Sequence, residues 1–295
     1  MAFFRRRQIF GYVLLLPFVS LFCLLTIYPF IRTILYSLTN FNLLTGRNRF
    51  ILFDNFKKLF TDDLFLRALQ NTAYYVLIDG TGVVVFGLCM ALALNLKRKG
   101  IGIFRTLYYL PVVVDWVIVS IVILFLFEPN FGTVNLLLRS MGIPPQMWLQ
   151  SSTQALPLIT IASIWKGVGY YAVFYLAALQ DIPEALIEAA EIDGAGRWTK
   201  FVNITLPQIA PVSIFVIIMA SIGSLKGFDQ FYIMTAGGPA RATTTIMLYF
   251  YERAFGFMDI GYGAAVAVVF AFVVLIFVLI QRVLLSNMRG ASGTN

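Results

Sequence analysis

The chain has 295 residues, 60% hydrophobic and only 12% charged, with a mean hydropathy of +0.84. Soluble domains carry about a quarter charged residues, so this composition excludes a soluble globular protein and points to a polytopic membrane protein. The net charge of +8 does not indicate nucleic-acid binding, because the basic residues cluster beside apolar runs. The absence of histidine removes the usual proton relay, the commonest metal ligand and the usual triad base.

Along the chain, Arg5-Arg6-Arg7 precede an apolar run from Ile9 to about Phe30. The run can cross a bilayer core of about 30 Å and has no small-residue cleavage site, so it reads as a retained first span rather than a signal peptide. Six spans are predicted, roughly at 9–36, 71–96, 105–127, 155–180, 208–234 and 262–285. The fold class is therefore all-α: a polytopic membrane protein with residues 1–8 as a cytoplasmic N-terminus and 9–295 as one transmembrane domain. Cys23 and Cys89 lie in apolar runs and read as packing or lipid-facing residues, not a disulfide. Between spans, 40–70 holds Asp54-Asn55-Phe56 and aromatic residues, and 128–153 is a turn-rich cap with Gly132, Pro144, Pro145 and Trp148. Residues 235–261 open on Thr235-Ala236-Gly237-Gly238-Pro239, a strong helix breaker. Arg5-Arg6-Arg7 and Lys97-Arg98-Lys99 sit directly beside span ends, which puts both termini in the cytoplasm. No internal repeat is evident.

That orientation leaves one polar insert, 181–207, on the cytoplasmic side. Pro183 suits the first turn of a helix, where its missing N–H needs no partner, and Glu184 follows at the positive end of the helix dipole. Glu184, Glu188 and Glu191 share one face, with Ala185, Ala189 and Ile192 as a small apolar stripe beside it. Gly194 and Gly196 stop the helix, and a second short helix from Trp198 through Phe201 and Ile204 ends at Pro207. Membrane-surface helices are rich in Lys and Arg with large apolar residues. An acidic, alanine-rich pair of short helices fits a groove on a partner instead.

The insert resembles the EAA signature of ATP-binding-cassette (ABC) importer permeases: Glu188-Ala189-Ala190, three residues, Asp193 being the last, then Gly194, nine residues, and Ile204-x-Leu206-Pro207. Its flanks resemble the carbohydrate branch, the MalF type. Further matches occur in order: Asn71-Thr72, Arg105, Leu110-Pro111, Gly132, Asn135, Trp165-Lys166-Gly167, Phe228-Asp229 and the Gly237-Gly238-Pro239 turn, covering roughly residues 10–290. The resemblance implies a permease subunit that moves a sugar or sugar-like solute inward by alternating access. It pairs with a second, homologous permease, so that a heterodimer is expected. Two ABC ATPase subunits receive the EAA loops through Glu184, Glu188, Ala189, Ala190, Asp193, Gly194, Ile204, Leu206 and Pro207. An extracytoplasmic solute-binding protein delivers the solute. ATP and magnesium belong to the ATPase chains, and this chain needs no cofactor or metal. Residence is in a bacterial or archaeal cytoplasmic membrane. Large outer domains and extra N-terminal spans of some relatives have no counterpart here, which matches the minimal six-span form.

Ionisable residues within spans are costly and mark cavities or partners. Asp79, Asp115, Lys166, Lys226 and Asp229 are of this kind, and Lys226 and Asp229, three apart, are expected to pair on one helical face. Aromatic rings beside small and hydrogen-bonding residues suit a sugar, whose ring faces stack while its hydroxyls need polar partners. By resemblance to maltose-type permeases, the solute site falls on Ser163, Trp165, Lys166, Gly167, Tyr170, Ser224, Lys226, Gly227 and Asp229. An alternative is an ion-coupled secondary transporter or channel using Asp79, Asp115 and Asp229. Such proteins often show inverted repeats and have no use for a docking insert. No phosphate-binding Gly-rich loop, nucleophile elbow or metal-ligand cluster is present, so catalysis by this chain is not expected.

Overall fold

The computed structural model describes residues 14–96 and 100–291, with side chains as far as residue 283. The regular elements among them are all helical. Lipid offers no partner for backbone N–H and C=O groups, and helices satisfy them internally. In chain order the helices are α1 (Leu14–Ser37), α2 (Asp54–Phe60), α3 (Asp63–Leu94), α4 (Ile101–Val113), α5 (Trp116–Leu126) and α6 (Thr133–Ser140). There follow α7 (Ala155–Gln180), α8 (Glu184–Ile192), α9 (Arg197–Leu225), α10 (Asp229–Thr235), α11 (Ile246–Tyr251) and α12 (Ile260–Ala291). Of these, α1, α3, α7, α9 and α12 are long and apolar enough to cross a membrane, and α4 with α5 makes a sixth candidate span bent by 96°. The chain is a polytopic all-α membrane protein.

The span expectations shift in three places. The helix of the second span, α3, starts at Asp63, not near residue 71, because an acidic residue in the first turn favours an earlier start. The third span is not one helix, since its two halves meet at Val114-Asp115. The helix of the fifth span, α9, stops at Leu225, and Asp229–Thr235 forms a separate short helix. The basic triplets at 5–7 and 97–99, on which the orientation rests, lie outside the described residues. Two long helices contain π-helical stretches, Cys23–Ile27 and Phe201–Thr205, each just before a proline, Pro29 or Pro207. A proline inside a helix cannot donate to the preceding turn, and a π-turn is one local adjustment around that missing bond.

Two compact units emerge from the contacts: residues up to Asp62 with Tyr249–Phe272, and Asp63–Leu248 with residues from Val273 on. In the first, Asn55 Nδ2 donates to Ser37 O at 2.9 Å and Thr39 O at 2.8 Å, fixing α2 against the end of α1. Asp62 Oδ2 accepts from the hydroxyls of Tyr249 and Tyr262 and lies 3.5 Å from Arg253 Nη2. Cys23 and Cys89 are free thiols on exposed surface.

In the second unit, α3 and α7 pack along most of their length, with α9 against both and α4 against α7. Small residues permit the approach. A Cβ on Gly169 would stand 2.8 Å from the backbone oxygen of Tyr108 on α4. Two apolar clusters stand out among the described residues. One gathers Tyr75, Val119, Ile123, Ile159, Ala162, Phe231 and Met234; the other gathers Ala91, Leu94, Tyr175, Leu176, Leu179, Ile209 and Val216. Along α3 and α7 the clusters occupy opposite ends, which leaves a polar layer at mid-helix.

Candidate functional site

That layer is a pocket of about 240 Å³ lined from α3 by Tyr75, Asp79 and Val83, and from α7 by Ser163, Gly167 and Tyr171. Each row has spacing i, i+4, i+8, one face of a helix. The end of α9 adds Gly223 and Ser224, the loop to α10 adds Lys226, Gly227 and Phe228, α10 adds Asp229 and Gln230, and α5 adds Trp116. Hydrogen bonds tie the walls together. Tyr75 OH donates to Ser163 Oγ at 3.0 Å and accepts from Gln230 Nε2 at 2.9 Å. Ser224 Oγ donates to Asp79 Oδ2 at 2.6 Å. Asp79 is only 6% exposed, and its other oxygen is buried without a partner. A buried carboxylate oxygen is costly to leave unpaired, which makes Asp79 the most demanding polar group of this layer.

Of the nine residues expected at a solute site, Ser163, Gly167, Ser224, Lys226, Gly227 and Asp229 line this pocket. Trp165, Lys166 and Tyr170 do not. Trp165 is 56% exposed and lines apolar clefts with Leu107, Pro111 and Ile161. Tyr170 meets Tyr171 and Phe174 edge-on, with centroids 5.1 and 5.2 Å apart. Lys166 Nζ donates to the carbonyls of Pro111 and Val112 at 3.2 and 3.3 Å. Helical phase explains the offset, because the row through Ser163 and Gly167 continues to Tyr171. On α3 the sequence marked Asp79 as a span carboxylate but did not place it at the solute site, and Tyr75, four residues before it on the same face, was not singled out. The expected Lys226–Asp229 pair does not form among the described residues: Lys226 caps the end of α9 and Asp229 opens α10, so they share no helical face. Asp115 is the N-cap of α5 and accepts from Val117 N at 2.8 Å, a structural task for its carboxylate.

The polar insert forms a second candidate site. Pro183 is the N-cap of α8, one position before the expected first turn, and Glu184 stands in that turn. Gly194 has φ +76°, Gly194 N donates to Glu191 O at 3.0 Å, and Ala195 N donates to Ala190 O at 2.8 Å. These paired bonds around a left-handed residue form the Schellman termination. Gly196 has φ −66° and caps the next helix, so only one of the two glycines is required by backbone conformation. No break occurs at Pro207; from Arg197 the helix continues through Ile204, Leu206 and Pro207 into α9. Lys200 Nζ, 2.6 Å from Glu191 Oε1, ties the two arms. No α8 residue is buried; Glu188, Ala189 and Asp193 are exposed, while Ile192 and Trp198 are 87% and 75% exposed.

Residues 83–290 match the protein family described as "Binding-protein-dependent transport system inner membrane component". The chain is 36% identical over 286 residues to the lactose transport system permease protein LacF of Rhizobium radiobacter, covering 94% of each. It is 33% identical over 276 residues to the sn-glycerol-3-phosphate transport system permease protein UgpA of Yersinia pestis, covering 92% of each. A chain of a bacterial ABC transporter that imports the acidic polysaccharide alginate superposes with a TM-score of 0.86 at 26% identity, covering 96% of each chain.

Proposed function

From the premise that the chain belongs to the family of binding-protein-dependent transport system inner membrane components, we propose that it moves a sugar or sugar-like solute into the cytoplasm by alternating access. The observation that carries this reading is the mid-helix pocket, where hydroxyls, an amide, two carboxylates, an ammonium and aromatic rings face one space. Carbohydrates need this mixture: directional partners for hydroxyls and flat apolar walls for ring faces. Ser163, Gly167, Ser224, Lys226, Gly227 and Asp229 contact the solute together with Asp79 and Gln230. The relatives transport lactose and sn-glycerol-3-phosphate by name, which supports the solute class.

A second homologous permease pairs with this chain, and a solute-binding protein outside delivers the cargo. Two ABC ATPases, which bind ATP and magnesium, dock on α8 in the cytoplasm. Closure of the ATPases pushes on α8. Because α9 runs without interruption from Arg197 to Leu225, motion at the loop reaches Ser224 in the pocket. Both termini lie in the cytoplasm. The multi-pass fold and apolar helices support residence in the cytoplasmic membrane.

The test is ATP hydrolysis by the reconstituted importer with its binding protein, challenged with lactose, sn-glycerol 3-phosphate and sulfoquinovosyl glycerol, the last being the solute named for a further relative, 34% identical over 263 residues. At least one should stimulate hydrolysis, and Asp79→Asn with Ser163→Ala should weaken that response about tenfold, two lost charge-assisted or neutral hydrogen bonds being worth roughly 1–3 kcal/mol. Stimulation by none of the three, or an unchanged response in the double variant, contradicts the reading.

A further inference from the structure

Two half-helices meet beside the pocket, α4 ending at Val113 and α5 starting at Trp116. A break at membrane depth strands the last carbonyls of one half and the first N–H groups of the other, and each must find a partner. Asp115 serves the N–H side through Val117 N. Lys166, on a different helix, serves the carbonyl side by donating to Pro111 O and Val112 O, at the negative end of the α4 dipole. The same ammonium stands 5.2 Å from the centroid of the Trp116 ring. A cation at that distance is attracted to the ring and fixes its position. Trp116 in turn lines the pocket. One lysine therefore holds both the break and the aromatic ring that the break presents to the pocket.

We propose that Trp116 is the stacking wall of the solute pocket, favouring ring-bearing sugars over acyclic polyols, and that Lys166 is its positioning residue. This rests on reading the pocket as the solute site. The pyranose ring has an apolar C–H face that packs on an indole, whereas an acyclic chain presents no such face. Lys166 does not line the pocket, so its effect on solute choice passes through Trp116 and the break.

Two arms test this in the reconstituted importer. In the first, the solute concentration giving half-maximal stimulation of hydrolysis is measured for lactose, sulfoquinovosyl glycerol and sn-glycerol 3-phosphate. Trp116→Leu should raise it about three- to tenfold for the two ring-bearing solutes and leave the acyclic one unchanged, as loss of one aromatic contact predicts. Trp116→Phe should restore most of the difference, and Lys166→Met should reproduce the ring-selective loss. An equal loss for all three solutes, no loss, or a wild type that responds to sn-glycerol 3-phosphate alone overturns the stacking wall. The second arm needs no solute. The four tryptophans are labelled with 5-fluorotryptophan, and Trp116→Phe assigns its fluorine resonance. Lys166→Met should shift or broaden that resonance; an unmoved resonance overturns the positioning role. If none of the solutes stimulates the wild type, the transport reading fails, and the fluorine arm alone decides whether Lys166 holds Trp116.

Discussion

Asn135 is a small residue with a large share of its segment's order. It is fully buried, its Nδ2 donates to Pro129 O and Gln146 O, and its Oδ1 accepts from Gln146 N and Trp148 Nε1. Asn135→Leu keeps the branched side-chain shape and orphans those groups, at a cost of about 2–4 kcal/mol. The expected result is a lower Tm for the purified chain and faster proteolysis within 128–150; wild-type values for both would show that the network is dispensable. Other residues matching the family's motifs are also backbone partners. Asn71 Nδ2 donates to Thr244 O at 3.0 Å, Thr72 Oγ1 accepts from Ile246 N at 2.9 Å, and Arg105 Nη2 donates to Leu94 O at 3.2 Å. Their residue types were legible in the sequence, but their partners, up to 174 positions away, were not. The pocket shows the same limit. Ser163 and Gly167 marked the face of α7 that lines the pocket, yet the aromatic position needed helical phase, which places Tyr171 in the pocket and turns Tyr170 aside. Tyr171→Ala should therefore weaken solute-stimulated hydrolysis, while Tyr170→Ala should leave it near wild type. The opposite ranking would move the solute elsewhere.

Among the elements, the break in the third span was hidden because its two halves together are long and apolar enough to pass as one span, and hydropathy reads length but not direction. Leu110-Pro111 hinted at it; the 96° turn depends on Asp115 and on Lys166 from another helix. The α8 termination was legible, since a glycine after a periodic charged segment signals a left-handed cap. What the sequence could not separate was Gly194 from Gly196. Nothing lies within 4 Å of a Cβ added to Gly194, so a side chain there costs backbone strain alone, about 1–2 kcal/mol. Gly194→Ala should loosen hydrogen-exchange protection across 184–200 and reduce solute-stimulated hydrolysis. Gly196→Ala, at an ordinary φ, should do neither. Equal effects from the two would remove the left-handed cap from the coupling argument.

For the whole molecule, six apolar segments and one charged insert were legible from composition, because a bilayer imposes length and apolarity on any span. The arrangement of those spans was not, since packing depends on small-residue contacts such as Gly169 against Tyr108. Orientation has a direct check. With Cys23 and Cys89 replaced by serine, Thr199→Cys should react with an impermeant maleimide only from the cytoplasmic side, and Met141→Cys only from outside. Reversed labelling would invert the topology and take α8 away from any cytoplasmic ATPase. The central claim, a solute pathway driven by ATP rather than by an ion gradient, is tested most directly by uptake of the stimulating solute into proteoliposomes carrying the assembled importer. Uptake should require ATP on the α8 side and persist when ionophores collapse every ion gradient; accumulation driven by an imposed proton or sodium gradient without ATP would contradict the account.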